Sequence, residues 1–356
     1  MTARLYLDHA ATSPLLPEAR AAMLEGMQAW ANPSSPHAEG RQARAMLERA
    51  RASVGSAYGW TGEVLFTSGA SESLALALGR TTLPRRLITA VEHDAVFRAA
   101  GEGAGVVPVG SDGLVDMAAL EAMLAAGPAL VCVQWANSET GVRQPIATVA
   151  ECVRASGGRL LLDAAQMPAG RDAEAIAAAD LVALSAHKRG GPPGIGALLV
   201  RDLSLLHPSG GQERGYRAGT ENLPAVLGYG AALAVPEPSH ATLRARLDDA
   251  IRRSGGQVVA DAAPRHAAIG SYRLPGKAAS AALIRFDLAG IAVSAGSACS
   301  SGSLKPSHVL GAMGWTVEAS REVIRVSFGR STTADEVDRF VAAWRDILGA
   351  ARLFAA

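Results

Sequence analysis

The sequence predicts an α/β protein, with a mostly parallel sheet covered by helices on both faces and a smaller α+β domain beside it. Three observations carry that expectation. Runs that are apolar throughout, such as Val64-Leu65-Phe66 and Leu160-Leu161-Leu162, recur between segments of helix length, as strands buried on both faces do. Polar residues gather just past the ends of those runs, where ligands sit in sheets of this kind. The chain has 356 residues and is 49% hydrophobic, enough for a large core and two domains.

Leu5-Tyr6-Leu7 is a short extended start, and Asp8 to Pro14 is a turn. Pro17 to about Trp30 has helical composition. The two prolines of Asn32-Pro33-Ser34-Ser35-Pro36-His37 make that stretch a loop. From Glu39 to Tyr58, the residues Ala43, Met46, Leu47, Ala50 and Val54 recur at helical spacing and predict an amphipathic helix. Val64-Leu65-Phe66 is a strand that leads through Thr67-Ser68-Gly69-Ala70-Ser71-Glu72-Ser73 into a helix reaching Leu78. Leu87 to Val91 is a strand ending at Glu92-His93, and Ala129 to Gln134 ends near Asn137. Leu160 to Leu162 ends at Asp163-Ala164-Ala165-Gln166, and Asp180 to Leu184 runs into Ser185-Ala186-His187-Lys188. Gly196 to Val200 follows.

Val235-Pro236-Glu237-Pro238 stops a helical stretch and marks a boundary. The large domain is expected over residues 13–238, and the small one from 1–12 together with 239–356. In the latter a helix is expected around Ala241 to Arg253, alternating strands near Ala281 to Phe286, and a strand over Ile324 to Phe328. Thr333-Ala334-Asp335-Glu336 is a capping box that opens a last amphipathic helix.

Composition narrows the function. The 34 basic and 33 acidic residues nearly cancel, and no polybasic run appears, which speaks against nucleic acid or an anionic membrane as partner. Aromatic residues are 4% of the chain, too few for base-stacking platforms. No apolar run reaches membrane-span length, and the first residues lack the apolar segment of a signal peptide. Cys132, Cys152 and Cys299 form neither a disulfide framework nor a paired metal motif, so a cytoplasmic, reducing location is expected.

Lys188 stands out. Nearly all the basic residues are arginine, and the lysines are Lys188, Lys277 and Lys305. A lysine at the exit of a buried strand suits chemistry that arginine cannot do, because an amine can shed its proton and form a Schiff base. Ser71, His93, Asn137, Asp163 and Gln166 lie at neighbouring strand ends. Gly69-Ala70-Ser71 at a strand-to-helix turn suits an anion. Asp163 suits a protonated ring nitrogen, and His93 offers a flat ring that can stack and move a proton. A phosphate, a pyridinium and an aldehyde together describe pyridoxal 5′-phosphate (PLP).

The sequence resembles the cysteine desulfurases of the class V aminotransferase family, in the group with the longer cysteine loop. The resemblance rests on ordered motifs: Tyr6 to Thr12, Asn32 to Ser35, Thr67 to Ser73, Glu92-His93, Asn137 to Gly141, Asp163 to Gln166 and Ser185 to Lys188. It continues through Gly210 to Asn222, Gly296 to Ser301 with Pro306 to Leu310, and Ile324 to Ser327. It implies the PLP-dependent transferase fold, with a seven-stranded sheet in the large domain and a small domain carrying the cysteine loop. It also implies that Lys188 forms the aldimine with PLP and later moves the Cα proton. Asp163 pairs with the ring nitrogen, Gln166 with the ring hydroxyl, and His93 stacks on the ring. Ala70, Ser71, Ser185 and His187 hold the phosphate, and Thr220 reaches the phosphate of the partner subunit's cofactor in a homodimer. Asn137 lies beside cofactor and substrate, and Arg325 clamps the substrate carboxylate. No metal is implied. His9, Ser71 and Leu74 depart from the family's usual Asn, Thr and Asn.

Cys132 and Cys152 sit in apolar contexts and read as buried thiols, whereas Cys299 lies among Gly and Ser residues where a thiol is accessible. In the implied reaction L-cysteine becomes L-alanine, and its sulfur passes to Cys299 as a persulfide. From there it goes to an acceptor protein, with an iron–sulfur scaffold among the candidates. Two other readings compete: a selenocysteine lyase or aminotransferase on the same fold, and a weakened paralogue with a regulatory or binding role.

Overall fold

The structure, a computed structural model, describes residues 4–295 and 306–349. Twelve strands occur among them: β1 (Leu5–Tyr6), β2 (Glu63–Thr67), β3 (Arg86–Thr89), β4 (Gly105–Val107), β5 (Leu130–Gln134), β6 (Arg159–Asp163), β7 (Leu181–Ser185), β8 (Gly196–Val200), β9 (Gln257–Val258), β10 (Ile269–Arg273), β11 (Ile291–Ala292) and β12 (Val323–Ser327). Seven build the main sheet in the order β2-β8-β7-β6-β5-β3-β4. The β7-β6-β5-β3-β4 pairings are parallel, and β8 runs antiparallel to both its neighbours. The apolar runs read from the sequence are strands of this sheet, with Val64-Leu65-Phe66 at its edge in β2.

Period-two alternation sorts their side chains onto two faces. Phe66, Val131, Val133, Leu162, Val182, Leu184 and Leu199 join one core with Met46, Leu47 and Val54 of the helix Ala38–Ala57 and Val226 and Tyr229 of the helix Leu223–Ala234. Leu65, Leu130, Cys132, Leu161, Ala183 and Leu198 face the other way, against Leu74, Ala77 and Leu78 of the helix Ala70–Arg80. Leu74 is therefore a packing residue under the sheet.

A separate core holds Leu5, Leu7, Ile251, Tyr272, Phe286, Ile324, Val326, Phe340 and Trp344. It lies under the antiparallel sheet β12-β10-β9 and the helices Ala241–Arg253, Ala279–Leu288 and Ala334–Gly349. β1 pairs with β11, which ties the N-terminal segment to this part of the chain. The expected capping box forms: Thr333 N donates to Glu336 at 2.9 Å, and Glu336 N to Thr333 Oγ1 at 3.3 Å.

Two expectations are corrected. Residues 281–286 are not alternating strands but part of the helix Ala279–Leu288. Ala279, Ala282 and Phe286 are its buried residues, spaced three and four apart on one face, and the Ala- and Leu-rich composition favours helix. The strand expected to run to Val91 ends at Thr89. His93 caps the helix Asp94–Ala100, accepting from Ala95 N at 3.1 Å.

Candidate active site

The antiparallel course of β8 decides what meets at one edge of the main sheet. Gly196, its first residue, is paired with Thr67 at the end of β2 and with Ser185 at the end of β7. The turn before Ser71 and the turn carrying Lys188 are thus separated by one strand. A Cβ on Gly196 would lie 2.6 Å from Gly69 Cα, so the backbones touch there. Gly69 has φ 151° and caps the helix that begins with Ala70 and Ser71. Ser71 is exposed, and Thr67 Oγ1 bonds Ser73 Oγ at 2.9 Å beneath it. The carboxylate of Glu72 takes the Ser68 N–H and, at 2.9 Å, the Arg217 Nε. The first N–H groups of a helix have no partner within it, which suits an anion.

Further along the edge, Asp163 ends β6 opposite Gln134 and Ala183. It is buried, and one oxygen accepts from Ala165 N at 3.0 Å. Lys188 sits in a tight 3₁₀ turn over His187–Arg189, which Ser13 ties down by bonding the Lys188 carbonyl at 3.3 Å. His93 feels both charges. Burial first, and then the Lys188 ammonium, lower its pKa, while Asp163 acts in the opposite direction. These three side chains share one electrostatic environment. Gln166 donates to the Ala10 carbonyl at 2.9 Å, and its Oε1 is buried without a partner among the described residues.

His187 bonds Thr12 Oγ1 at 3.1 Å, and burial, then Lys188 and Arg189, lower its pKa. Ser185 is buried, and Thr220 is exposed in the loop before the helix Leu223–Ala234. Asn137 spends its side chain on a turn. It donates to the Val91 carbonyl at 3.0 Å and accepts from Glu139 N and Thr140 N at 2.9 and 2.8 Å. That turn presents the Ser138 carbonyl to Arg325 Nη1 at 2.9 Å, and Arg325 Nη2 meets Asp8 at 2.6 Å.

Cys132 is fully buried and its thiol is pushed well up by burial, whereas Cys152, expected to be buried, is only half-buried. Its place near the end of the helix Ile146–Ala155 leaves it at the margin of the core. Cys299 lies outside the described residues.

Sequence reasoning did not single out Asp8 or the carboxyl of Glu92. Glu92 is buried and accepts from Thr89 Oγ1 at 2.6 Å and Gln134 N at 3.0 Å. Burial, with the Asp163 charge behind it, pushes its pKa up to about 8. Both residues lie inside quoted motifs, so a charged side chain next to an apolar run was the available signal.

The profile of the family described as "Aminotransferase class-V" matches residues 5–340. The chain belongs to that family. A cysteine desulfurase of Cereibacter sphaeroides is 37% identical over 95% of this chain and 94% of its own length. Among solved structures, a NifS-like protein from Rickettsia africae has a TM-score of 0.88 at 29% identity, covering 97% of this chain and 99% of its own. A structure described as SspA in complex with cysteine has a TM-score of 0.79 at 28% identity, covering 92% and 100%. A class-V enzyme works with PLP, and the residues fit that group. The partnerless amide oxygen of Gln166, the Gly69 turn and the Asp163–His93–Lys188 set match a ring hydroxyl, a phosphate and an aldehyde-bearing pyridinium.

Proposed function

We propose that this chain is a PLP-dependent cysteine desulfurase. It converts L-cysteine to L-alanine and delivers the sulfur to Cys299, which passes it to an acceptor protein. The shared environment of Lys188, Asp163 and His93 at the sheet edge is the observation that carries this reading. Lys188 holds PLP through its amine, and Asp163 faces the ring nitrogen. Gln166 would pair with the ring hydroxyl, and Asn137 would lie beside the cofactor and the substrate. Ala70, Ser71, Ser185 and His187 hold the phosphate, and Thr220 serves the partner subunit's cofactor in a homodimer. Bound PLP supplies an electron sink that makes the Cα–H of an amino acid acidic.

The chain's own groups do the rest. Arg325 would receive the substrate carboxylate and so orient the substrate, and the Lys188 amine would take and return the Cα proton. His93, whose pKa is lowered by burial and then by Lys188, would stack on the ring and could accept a proton. The Cys299 thiolate attacks the substrate sulfur, so that an S–S bond forms, the Cβ–S bond breaks and alanine leaves. The two hydrophobic cores support a large domain over 13–238 and a small one from 1–12 and 239–356. Among the described residues no helix is long and apolar enough to cross a membrane, and a cytoplasmic site of action fits the reactive thiol. An iron–sulfur scaffold protein is one candidate for that acceptor.

The test is an absorbance spectrum of the PLP-loaded protein with and without L-cysteine, with alanine and sulfide measured together. Cys299→Ala is expected to abolish sulfide while leaving the cofactor absorbance, and Lys188→Ala to lose both the characteristic absorbance and turnover. Unchanged sulfide release from Cys299→Ala would overturn the assignment of the sulfur step.

A further inference from the structure

Arg325 is 6% exposed on β12. Its backbone is fixed by two hydrogen bonds with Ser294, at 2.7 and 3.2 Å. Its guanidinium is already engaged, by the Ser138 carbonyl on one side and by Asp8 on the other. Asp8 is the one carboxylate paired with it among the described residues, and the Arg325 Nε is buried without a partner. The two partners differ in freedom. The Arg325 side chain is 7% exposed and the Asp8 side chain 22%, so the cation is enclosed while the anion borders solvent.

A guanidinium keeps its proton, and a buried one needs a counter-charge. If a substrate carboxylate arrived while Asp8 stayed, two anions would face one cation in a poorly hydrated place. If Asp8 withdrew to the solvent it borders, the site would stay neutral, and the incoming carboxylate could take both Nη2 and the unused Nε. We propose that Asp8 is an intramolecular stand-in for the substrate α-carboxylate. It holds Arg325 in the free enzyme and yields the guanidinium when an α-amino acid binds. The inference rests on the reading above that Arg325 receives that carboxylate. It makes Asp8 a determinant of affinity, because binding is weakened by the fraction of enzyme in which Asp8 closes the site. An amine without a carboxylate does not compete with Asp8 and escapes that penalty.

The experiment titrates PLP-loaded wild type and Asp8→Asn with L-alanine and with ethylamine, following the cofactor absorbance, and measures KM for L-cysteine. Asp8→Asn is expected to bind L-alanine about tenfold more tightly and to lower KM, as removal of an internal competitor does. Ethylamine binding should change less than twofold, and the ligand-free variant should melt at a lower temperature because Arg325 has lost its counter-ion. A role confined to structure would not tighten carboxylate binding. Unchanged or weaker L-alanine binding in the variant, with wild type responding normally, overturns the stand-in role and leaves the desulfurase reading intact. A wild type that responds to neither L-alanine nor L-cysteine overturns the desulfurase reading and the inference with it. Should Asp8→Asn fail to fold, Asp8→Ser, too short to reach the guanidinium, is read in the same way.

Discussion

Glu92 and His266 show how single buried groups set the pH response. Glu92 is pushed up to about 8 from 4.5, by burial first. It is neutral when folded and ionised when unfolded between those values, so its contribution is complete below pH 4.5 and is lost as pH rises through 8. His266 has the opposite sign. Burial, and then Arg189, push it down to about 3 from 6.5, so its contribution is complete above pH 6.5 and is lost as pH falls through 3. Its Nε2 faces the Gln166 carbonyl at 3.1 Å and its Nδ1 accepts from Ala268 N at 2.9 Å, the pattern of a neutral ring. Glu92→Gln removes one of these titrations. Its stability relative to wild type should rise with pH between 4.5 and 8, by about 1.4 kcal/mol per pH unit at most. Urea unfolding across that range checks this, and parallel curves would contradict it. Neither group's burial could be read from sequence, because it depends on which strands become neighbours. Lys188 was legible for another reason: a rare lysine after an apolar run is a local signal.

At the level of elements, the apolar strands and the long amphipathic helices were legible because their patterns are local. The helix Ala279–Leu288 differs from the expected alternation because its run Ala281 to Ile284 is apolar without a clear period, and burial of Ala279, Ala282 and Phe286 on one face decides its form. β10 was missed as well. Its Gly270 and Ser271 give a weak strand signature, and pairing with β12 and β9 fixes it. Close contact between elements gives the sharpest test. Gly196 has no room for a side chain beside Gly69 Cα and the Leu184 carbonyl. Gly196→Ala should therefore cost about 2–4 kcal/mol and weaken PLP binding, because the turn before Ser71 must move. Thermal melting and an equilibrium PLP titration check both effects, and wild-type PLP affinity in a well-folded variant would separate that turn from the cofactor.

For the whole molecule, the two cores make separable contributions. Trp344 is fully buried in the second core, where it packs on Phe340 and Tyr272 and donates to Ser254 Oγ at 2.9 Å. Trp344→Ala should lower the unfolding free energy by about 3–5 kcal/mol. The expected readout is a lower urea midpoint, while the absorbance of bound PLP persists below the transition. The contact least legible from sequence also belongs to this scale. Asp8 and Arg325 are 317 positions apart, and no local pattern announces that the first turn of the chain closes on its last strand.

The reversed strand β8 carries a consequence for the order in which the protein folds. β7 and β8 form a hairpin joined by residues 186–195, the main sheet's pairing between strands adjacent in sequence that needs no crossover. Short loops close early, and antiparallel neighbours meet faster than strands far apart in the chain. The turn bearing Lys188 should therefore acquire its shape first. The Ser71 side of the pocket, whose strand β2 must find β8 across more than a hundred residues, should arrive late. Pulse-labelled hydrogen exchange during refolding is expected to protect the amides shared by β7 and β8 before those shared by β2 and β8.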